Sequence, residues 1–424
     1  MIFLYNIGIR LYGLLICVAS LFNEKARLLK RGRKDSLGVL PAARRDTRQH
    51  LIWFHAASLG EFEQGRPVME RIRQTEPDTK IMLTFFSPSG YEIRKHYPHA
   101  DYILYLPSDT SRHARQLIEA FKPDAAVFIK YEFWYHYLHE LYRRHIPVIL
   151  ISAVFRPGQP FFRKRWGSLH RRMLGFFSSI HVQDLSSVDL LKGIGIRNVR
   201  LTGDTRFDRV KQIAGTAKNI EKVERFLNGR PAVVCGSTWP PDEDILTDYI
   251  NRYTGGSKWI IAPHETGESH IKSIMGKCKK KIVRYSEENT GFAEYDVLLI
   301  DCIGLLSSVY RYGEIAYIGG GFGAGIHNTI EAAVYGIPVI FGPRYRKFNE
   351  AVSLIRDGGG FCIHNATEAR DLLDSLLGNP AIAKAAGAKA LKFVDSQTGA
   401  TDTICKELTS ITDYGRHSSH QATI

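Results

Sequence analysis

The stretch YIGGGFGAGIHNTIEAAVYGIPVIFGP, residues 317–343, contains one complete strand–helix–strand step. An apolar run ends in the glycines at 319–321, a helical pattern follows from about His327, and residues 336–338 end that helix before a second apolar run. Buried strands that alternate with helices are typical of a parallel sheet covered on both faces. The stretch therefore predicts a doubly wound α/β sheet, and the same alternation extends outward from it.

Two blocks of this pattern, separated by a polar and basic connector at 204–230, make up most of the 424 residues. We predict two Rossmann-like doubly wound domains, an N-terminal one over 36–210 and a C-terminal one over 211–413, facing a cleft that binds the ligand. The predicted strands are 51–54, 81–86, 102–106, 125–129, 147–152, 179–182 and 199–202 in the first block, and 232–238, 259–264, 281–285, 296–301, 315–321 and 338–343 in the second.

Residues 1–23, MIFLYNIGIRLYGLLICVASLFN, form an apolar segment with a single charge, Arg10. Its length is close to the ~20 residues that a membrane-spanning helix needs. The basic stretch KARLLKRGRK at 25–34 follows it, and the positive-inside rule keeps such a flank on the cytoplasmic side. We predict a membrane anchor with a basic flank over 1–35. A span and a helix in the membrane interface both stay open, because Asn6 and Arg10 weaken a span.

The formal net charge of +14 calls for an anionic partner, which is usually nucleic acid, anionic lipid or a phosphorylated substrate. The sequence has no zinc-finger spacing and no aromatic RNA-recognition motif, so we expect no nucleic-acid partner. Six cysteines without a CxxC pair argue against a zinc site or a disulfide framework, and fit a reducing compartment.

The glycine-rich loop predicts an anion site. Glycines let a backbone approach a ligand closely and a helix start offers free N–H groups, so Gly320, Gly321 and Gly325 are candidates to bind a phosphate. Glu331 lies four residues after His327 and would share its helix face, where a carboxylate can accept both hydroxyls of a ribose. A generic Rossmann turn is the alternative. The first strand lacks a following GxGxxG, which excludes a dinucleotide-dependent oxidoreductase.

Two further strand ends in the second block carry polar residues. APHETGESH at 262–270 places His264 and Glu265 after a strand, and GSTWPPDED at 236–244 places Ser237 and Thr238 in the same way. These side chains are candidates to contact a phosphate, a sugar hydroxyl or a base. Helix capping is the alternative interpretation for both segments.

Two carboxylates follow strands of the first block. IKYEFWYHYL at 129–138 places Glu132 at a strand's carboxyl end, and we favour a functional role over a helix-start role there. WFHAASLGEFEQGRP at 53–67 places Glu61 behind Ser58 and Gly60 at a helix start. The pattern alone favours a structural first-turn glutamate at this second position.

The segment FRPGQPFFRKRWGSLHRRMLGFF at 155–177 interleaves basic and aromatic side chains. This composition predicts a surface for anionic headgroups or for a phosphorylated lipid, with an ordinary solvated basic helix as the alternative. The candidate residues are Arg156, Arg163, Lys164, Arg165, Arg171 and Arg172.

Several of these motifs resemble, in the same order, those of the 3-deoxy-D-manno-octulosonic acid (Kdo) transferases of Gram-negative bacteria. HAASLGE at 55–61 resembles HAxSxGE, YEFW at 131–134 resembles ETELWP, and GDTRFD at 203–208 resembles GNxKFD. GSTW resembles ASTH with Trp239 in place of His, APHE resembles a shortened APRHPER, and 319–343 resembles GGSxxxxGGHNxLEPAA…GP followed by a loop containing Asn349. The resemblance covers essentially the full chain.

The resemblance implies an inverting glycosyltransferase of the GT-B fold. Such an enzyme moves Kdo from CMP-Kdo to a tetraacyl lipid A precursor (lipid IVA) at the cell inner membrane, in lipopolysaccharide core biosynthesis. It implies Glu61 as the general base, with Glu132 as a second catalytic candidate. It assigns CMP-Kdo chiefly to the C-terminal domain. We find no DxD motif of the kind that metal-dependent transferases use, which predicts no metal and no other cofactor. The implied substrate-binding residues are Ser58, Gly60, Ser237, Thr238, His264, Glu265, Gly320, Gly321, Gly325, His327, Asn328, Thr329, Glu331 and Asn349.

Two other functions stay open on the sequence. One is a different GT-B enzyme, such as a UDP-sugar transferase or an epimerase, because the glycine-rich loop and Glu331 would look alike there. The other is a membrane-tethered lipid-binding protein without catalytic activity, which the missing Arg of APHE and the altered Trp239 keep in consideration.

Overall fold

The computed structural model describes residues 1–42, 49–163, 167–288 and 291–421. The chain divides into two compact units: unit 1 is Met1–Asp208 with Thr398–Ile424, and unit 2 is Arg209–Gln397. The boundary near 208 lies close to the predicted one. The predicted C-terminal limit of the second domain at 413 differs from the structure, which groups everything from Thr398 onward with unit 1.

Unit 1 begins with two helices and continues as an alternating α/β layer structure. Its strands are β1 (Leu51–Ala56), β2 (Lys80–Phe85), β3 (Tyr102–Tyr105), β4 (Ala125–Ile129), β5 (Val148–Ala153), β6 (Ser179–Val182) and β7 (Val199–Leu201). Its first eight helices are α1 (Ile2–Ala19), α2 (Glu24–Val39), α3 (Leu59–Thr75), α4 (Pro88–Arg94), α5 (Ser111–Phe121), α6 (Tyr135–Arg143), α7 (Ser168–Leu174) and α8 (Leu185–Gly193).

Unit 2 repeats the plan after α9 (Arg206–Thr216), which crosses the boundary. Its strands are β8 (Ala232–Thr238), β9 (Lys258–Pro263), β10 (Ile282–Arg284), β11 (Val297–Leu299), β12 (Ile315–Ile318), β13 (Val339–Phe341) and β14 (Gly360–Cys362). The helices are α10 (Glu221–Leu227), α11 (Pro240–Arg252), α12 (Glu268–Lys277), α13 (Leu306–Val309), α14 (Ile330–Ala333), α15 (Asn349–Asp357), α16 (Ala366–Gly378) and α17 (Pro380–Ser396). The last helix, α18 (Ala400–Gln421), belongs to unit 1.

Each unit contains a seven-stranded parallel sheet, in the order β3-β2-β1-β4-β5-β6-β7 for unit 1 and β10-β11-β9-β8-β12-β13-β14 for unit 2. This confirms the predicted fold class of two Rossmann-like doubly wound sheets. Every predicted strand is present, with ends shifted by a few residues. Only the short β14, in which one residue of three is buried, has no counterpart in the prediction.

Apolar residues on both faces hold each sheet in the middle of its unit. All six residues of β1 are buried, and successive side chains enter different clusters: Trp53 joins one core, whereas Ile52 and Phe54 join the other. This alternation is what a parallel strand covered on both sides requires. Each large apolar side chain buried this way contributes about 1.5–3 kcal/mol to stability.

The helix α18 returns the chain to unit 1 through polar and apolar contacts. Asp208 accepts hydrogen bonds from the backbone N–H groups of Gly399 and Thr401 at 2.6 and 2.7 Å. Further along the helix, Ile404 and Leu408 are buried in the unit 1 core that contains Phe54. A domain limit at 413 was therefore wrong in assigning these residues to unit 2, because their apolar faces pack in the other unit.

Candidate functional site

The strand order of each sheet reverses once, and the candidate residues gather at that reversal. In unit 1 the chain leaves β1 on one side and resumes beside it with β4, and in unit 2 the same happens between β8 and β12. Ligands of doubly wound sheets bind at the carboxyl ends of the strands at this switch point. Glu61 and Glu132 follow β1 and β4, while the GSTW segment and the glycine-rich loop follow β8 and β12.

Glu61 is the third residue of α3, whose N-cap is Ser58. The Ser58 hydroxyl donates a hydrogen bond to Glu61 Oε2 at 2.8 Å, a contact that resembles half of a capping box. A carboxylate that only caps a helix has its pKa lowered by the N–H groups and the helix dipole. Here burial raises the pKa of Glu61, the Ser58 hydrogen bond opposes the rise, and the negative charge of Glu132 adds to it. The net direction is upward, as for a general base.

Glu132 is buried and holds a fixed position in a hydrogen-bonded network. Its Oε2 accepts hydrogen bonds from His55 Nε2 at 2.9 Å and from Trp134 Nε1 at 2.7 Å. On the other side of the imidazole, His55 Nδ1 lies 2.9 Å from the Thr84 hydroxyl and 3.1 Å from the Thr84 carbonyl oxygen. These contacts orient the His55 ring and occupy Oε2 of Glu132, and the negative charge of Glu132 contributes to the raised pKa of Glu61.

The remaining predicted residues near Glu61 are Ser58 and Gly60. Gly60 is exposed at the second position of α3, and a Cβ atom built there would meet only the Ser58 hydroxyl, at 3.9 Å. Packing therefore does not require a glycine at this position. Lys130, which the sequence did not single out, ends β4 in a left-handed conformation with φ 65° and lowers the pKa of Glu61 through its charge.

In unit 2, β8 ends in an irregular turn that brings it against the glycine-rich loop. The register with β9 shifts at Ser237, whose φ is 54°, and a Cβ atom on Gly319 would lie 2.2 Å from the Ser237 carbonyl oxygen. Only glycine permits this approach. Thr238, predicted to contact the ligand, is buried. Its hydroxyl donates a hydrogen bond to Glu243 within the protein, at 3.1 Å.

Three aromatic rings lie together at the carboxyl ends of β8, β9 and β12. Trp239 Nε1 donates a hydrogen bond to His327 Nε2 at 3.0 Å, and their ring planes differ by 9°. The exposed His264 stacks on Trp239 with a centroid distance of 4.6 Å and on His327 at 4.5 Å. Burial, followed by the nearby His264, lowers the pKa of His327 to about 4. The ring of His327 is therefore neutral at physiological pH.

Backbone contacts shape the glycine-rich loop. Gly320 has a φ of 90°, and its N–H donates to Asp242 Oδ2 at 2.8 Å. Asp242 also accepts from the Trp239 N–H and the Tyr317 hydroxyl, at 2.9 and 2.8 Å. Burial raises the pKa of Asp242 against these three hydrogen bonds. Asp242 thus connects the GSTW segment to the glycine-rich loop through hydrogen bonds. Its position three residues after the helix N-cap, Trp239, is the sequence signal that could have identified it.

The predicted helix start near His327 was wrong. Helix α14 begins only at Ile330 and has four residues, so His327 precedes it and does not share a helical face with Glu331. The turn is extended because the loop backbone bonds to itself: His327 N–H donates to Gly319 O at 3.2 Å. Glu331 instead accepts a hydrogen bond from Asn328 Nδ2 at 2.9 Å.

The other predicted ligand residues of unit 2 differ in accessibility. Thr329 is fully buried, and its hydroxyl has no hydrogen-bond partner within the described residues. Glu265 and Asn349 are exposed, and Asn349 opens α15. Gly325 lies against the Phe348 ring, at 3.2 Å from a Cβ atom built on the glycine, so the loop before Asn349 packs on the glycine-rich loop. Gly321 packs more closely still, since a Cβ atom built on it would lie 2.5 Å from the backbone nitrogen of Gly342.

The basic segment after β5 is partly structural. Arg156, Arg163 and Arg172 are exposed, whereas Arg171 donates to the carbonyl oxygens of Phe161 and Arg163, each at 3.0 Å. Lys164 and Arg165 lie outside the described residues. The aromatic side chains of the segment largely turn inward: Phe155, Phe161, Phe176 and Phe177 belong to the unit 1 core.

Helix α1 has a docked polar face and an exposed apolar face. The Tyr5 hydroxyl donates to Asp109, and His136 Nε2 lies 2.6 Å from Asn6 Oδ1. Tyr12 stacks on Phe86 at 6.0 Å. Among the described helices, α1 alone has the length and mean hydropathy, 1.8, of a membrane span. Its exposed large apolar side chains are Phe3, Leu4, Ile7, Leu11, Leu14, Leu15 and Val18.

Comparison with known proteins shows which proteins this chain is similar to. Residues 31–209 match the family model described as 3-deoxy-D-manno-octulosonic-acid transferase (kdotransferase). A 3-deoxy-D-manno-octulosonic acid transferase of Rickettsia typhi is 27% identical over 376 residues, which cover 86% of this chain and 80% of the relative. The Aquifex aeolicus protein of the same description is 29% identical over 336 residues, which cover 77% of this chain and 86% of the relative.

The chain is thus similar to the Kdo transferases. This similarity agrees with the resemblance drawn from the sequence motifs.

The solved structures agree with a GT-B fold. The structure of UDP-GlcNAc 2-epimerase from Neisseria meningitidis bound to UDP-GlcNAc superposes with a TM-score of 0.56, covering 82% of this chain and 99% of the epimerase. The two sequences are 15% identical, so this likeness concerns the fold alone. The described residues contain no group of three or more His, Cys, Asp or Glu side chains arranged to hold a metal ion.

Proposed function

We propose that this protein transfers Kdo from CMP-Kdo to a tetraacyl lipid A precursor, lipid IVA, with inversion at the anomeric carbon and Glu61 as the general base. The observation that carries the proposal is the partly exposed carboxylate of Glu61, whose pKa is raised at the carboxyl end of β1. The similarity to Kdo transferases supports the donor sugar. The net charge of +14 supports an acceptor that bears phosphates.

In the proposed step, Glu61 removes the proton from the acceptor's primary hydroxyl while that oxygen forms a bond to the anomeric carbon of Kdo. The bond from this carbon to the CMP phosphate oxygen breaks on the opposite face, and its electron pair leaves with CMP. Glu61 ends the step protonated and returns its proton to water. General-base assistance of this kind contributes roughly 10²–10⁴-fold to a rate.

The proposal gives the neighbouring groups supporting roles. The Ser58 hydroxyl fixes one oxygen of Glu61, at 2.8 Å, and leaves the other to face the acceptor. Glu132 is engaged by His55 and Trp134, so it acts on the reaction through the pKa of Glu61 and is a positioning residue.

Unit 2 would bind the CMP part of the donor. The glycine-rich loop offers backbone N–H groups, and His264, His327, Asn328 and Glu331 offer polar side chains beside it. Loop N–H groups and nearby basic side chains can offset the charge of one phosphate, so the proposal includes activity without a metal ion.

We also place the protein at the cytoplasmic face of the inner membrane, with α1 lying in the interface. Its polar residues Tyr5 and Asn6 are satisfied by unit 1, which holds the helix flat against the protein body. Arg10 lies at the midpoint of α1, where a span would bury its charge at a cost of about 2.5–3.5 kcal/mol or more. An interfacial helix avoids that cost because a long side chain can reach water.

The test is the Glu61→Gln variant, assayed with CMP-Kdo and a tetraacyl bis-phosphorylated lipid A precursor by mass spectrometry of the lipid. We expect the loss of about 10²-fold or more in turnover, with CMP-Kdo binding unchanged. Glu63→Gln is the matched control, since Glu63 lies on the same helix and pairs with Arg94 at 2.8 Å. Near-normal transfer by Glu61→Gln would remove Glu61 from the mechanism.

A donor panel separates Kdo transfer from the other sugar-nucleotide activities. The wild-type protein should turn over CMP-Kdo and leave UDP-GlcNAc unchanged, whether as donor or as epimerase substrate. Turnover of the UDP-sugar with no use of CMP-Kdo would overturn the proposed reaction.

A further inference from the structure

The ring cluster at the carboxyl ends of β8, β9 and β12 has one hydrogen bond whose direction is fixed by chemistry. The indole N–H of Trp239 can only donate, and it lies 3.0 Å from Nε2 of His327. Nε2 must therefore accept, and it carries no proton while this bond is made. A neutral imidazole holds one proton, so the proton of His327 is on Nδ1.

The surroundings keep His327 in this neutral form. Its ring is coplanar within 9° with the Trp239 indole, while the His264 ring covers both at centroid distances of 4.6 and 4.5 Å. The His327 ring is partly buried, which disfavours its charged form, and the neighbouring His264 disfavours that form further. These two effects lower the pKa of His327 to about 4.

We propose that Trp239 is a positioning residue that locks His327 as the neutral Nδ1–H tautomer, which presents its N–H as a hydrogen-bond donor to the phosphate of the donor nucleotide. Within the part of the chain that the structure describes, no hydrogen bond is made by His327 Nδ1. His327 follows the glycine-rich loop, and its backbone N–H donates a hydrogen bond to Gly319 O in that loop at 3.2 Å. The phosphate contact rests on the proposed function, whereas the ring state does not.

The charged groups around His327 come from four segments. His264 on the β9 loop is the titratable neighbour that acts on the ring directly. Asp242 of α11 is held by Gly320 N–H, Glu331 of α14 is held by Asn328, and the Arg344 guanidinium donates to Gly323 O. Each of these three groups already has a partner in the structure, so the indole is the group that selects the ring nitrogen.

The test records two-bond ¹H–¹⁵N spectra of the histidine rings in the ligand-free protein, for wild type and for Trp239→Phe. We expect the wild-type His327 signal, assigned with His327→Gln, to show protonated Nδ1 at pH 7 and no titration above about pH 5. In Trp239→Phe the stacking ring remains but the donor is lost, so both tautomers should be populated and the titration should move upward. Trp259→Phe is the control, because the Trp259 indole N–H has no partner among the described residues.

Binding of CMP by calorimetry tests the second half. Trp239→Phe should lose roughly two- to tenfold in affinity at pH 7.5, because only a fraction of the molecules then carry the ring proton on Nδ1. Affinity should return as the pH is lowered to 5.5 and the ring becomes charged. A wild-type ring protonated on Nε2, or a ring state unchanged in Trp239→Phe, would overturn the role of Trp239. A changed ring state with unchanged CMP affinity would overturn the phosphate contact alone, and the Glu61→Gln assay would still judge the proposed reaction.

Discussion

The proposed orientation of α1 in the membrane interface makes a prediction about depth. Leu4, Leu11 and Val18 lie on the exposed apolar side of the helix. A rise of about 1.5 Å per residue separates the first from the last by about 21 Å along the helix axis. If α1 lies in the interface, spin labels at the three positions should reach the same depth to within a few ångströms. If α1 spans, their depths should differ by most of that 21 Å.

The assay is power-saturation electron paramagnetic resonance with single-cysteine variants in vesicles that contain anionic phospholipid. The exposed Cys17 on the same helix is first replaced by serine, together with the partly exposed Cys278, Cys302, Cys362 and Cys405, so that the introduced cysteine is the accessible label site. Labels at Lys95, exposed on unit 1, give the value for a position in water. A monotonic change in depth from position 4 to 18 would refute the interfacial orientation, and equal exposure of all three labels to water would refute membrane attachment through α1.

Four shorter predictions follow from the contacts around the two candidate sites. Because the charge of Glu132 raises the pKa of Glu61, and Glu61 acts as a base only when deprotonated, Glu132→Gln should move the acid limb of the kcat/KM profile to lower pH; an unmoved limb would separate the two carboxylates. Gly60→Ala has room for its Cβ, so it should stabilise the helix by up to about 1 kcal/mol and raise the melting temperature. It should also slow transfer if the acceptor approaches over this residue, and unchanged transfer would argue against that path. Arg163→Ala should raise the KM for the lipid acceptor at unchanged stability. Arg171→Ala loses two hydrogen bonds to backbone carbonyl oxygens and should lower the melting temperature. The reverse outcome would contradict the division into surface and structural arginines. Transfer measured in excess EDTA should equal transfer without it, and recovery only on adding a divalent cation would contradict metal independence.

Much of the fold could be predicted because the strands are fully buried. A strand covered on both faces must be apolar along its whole length, as in β1 and β4, and such runs stand out in a sequence. The ends of the strands were less certain. At Ser152 and Ser237 the backbone adopts the left-handed region, with φ values of 53° and 54°. Serine does not indicate this conformation in a sequence.

The positions of Glu61, Glu132 and His264 after strands could be predicted from the sequence, whereas their roles stay predictions. Their electrostatic states were not, since the pKa of Glu61 depends on Glu132, which is distant in sequence. The helical face expected for His327 and Glu331 was wrong because the glycine loop bonds to its own backbone and delays α14 to Ile330.

The sequence by itself determined the two α/β units, the apolar first helix and the resemblance to Kdo transferases, because each depends on patterns of neighbouring residues. The tertiary structure alone decided which groups pair across strands. It brought His55 to Glu132 and Trp239 to His327, placed α18 on unit 1, and turned the polar side of α1 toward Asp109 and His136. The physical reason is that burial and hydrogen-bond direction arise between residues that lie far apart along the chain and adjacent in space, and no local pattern encodes them.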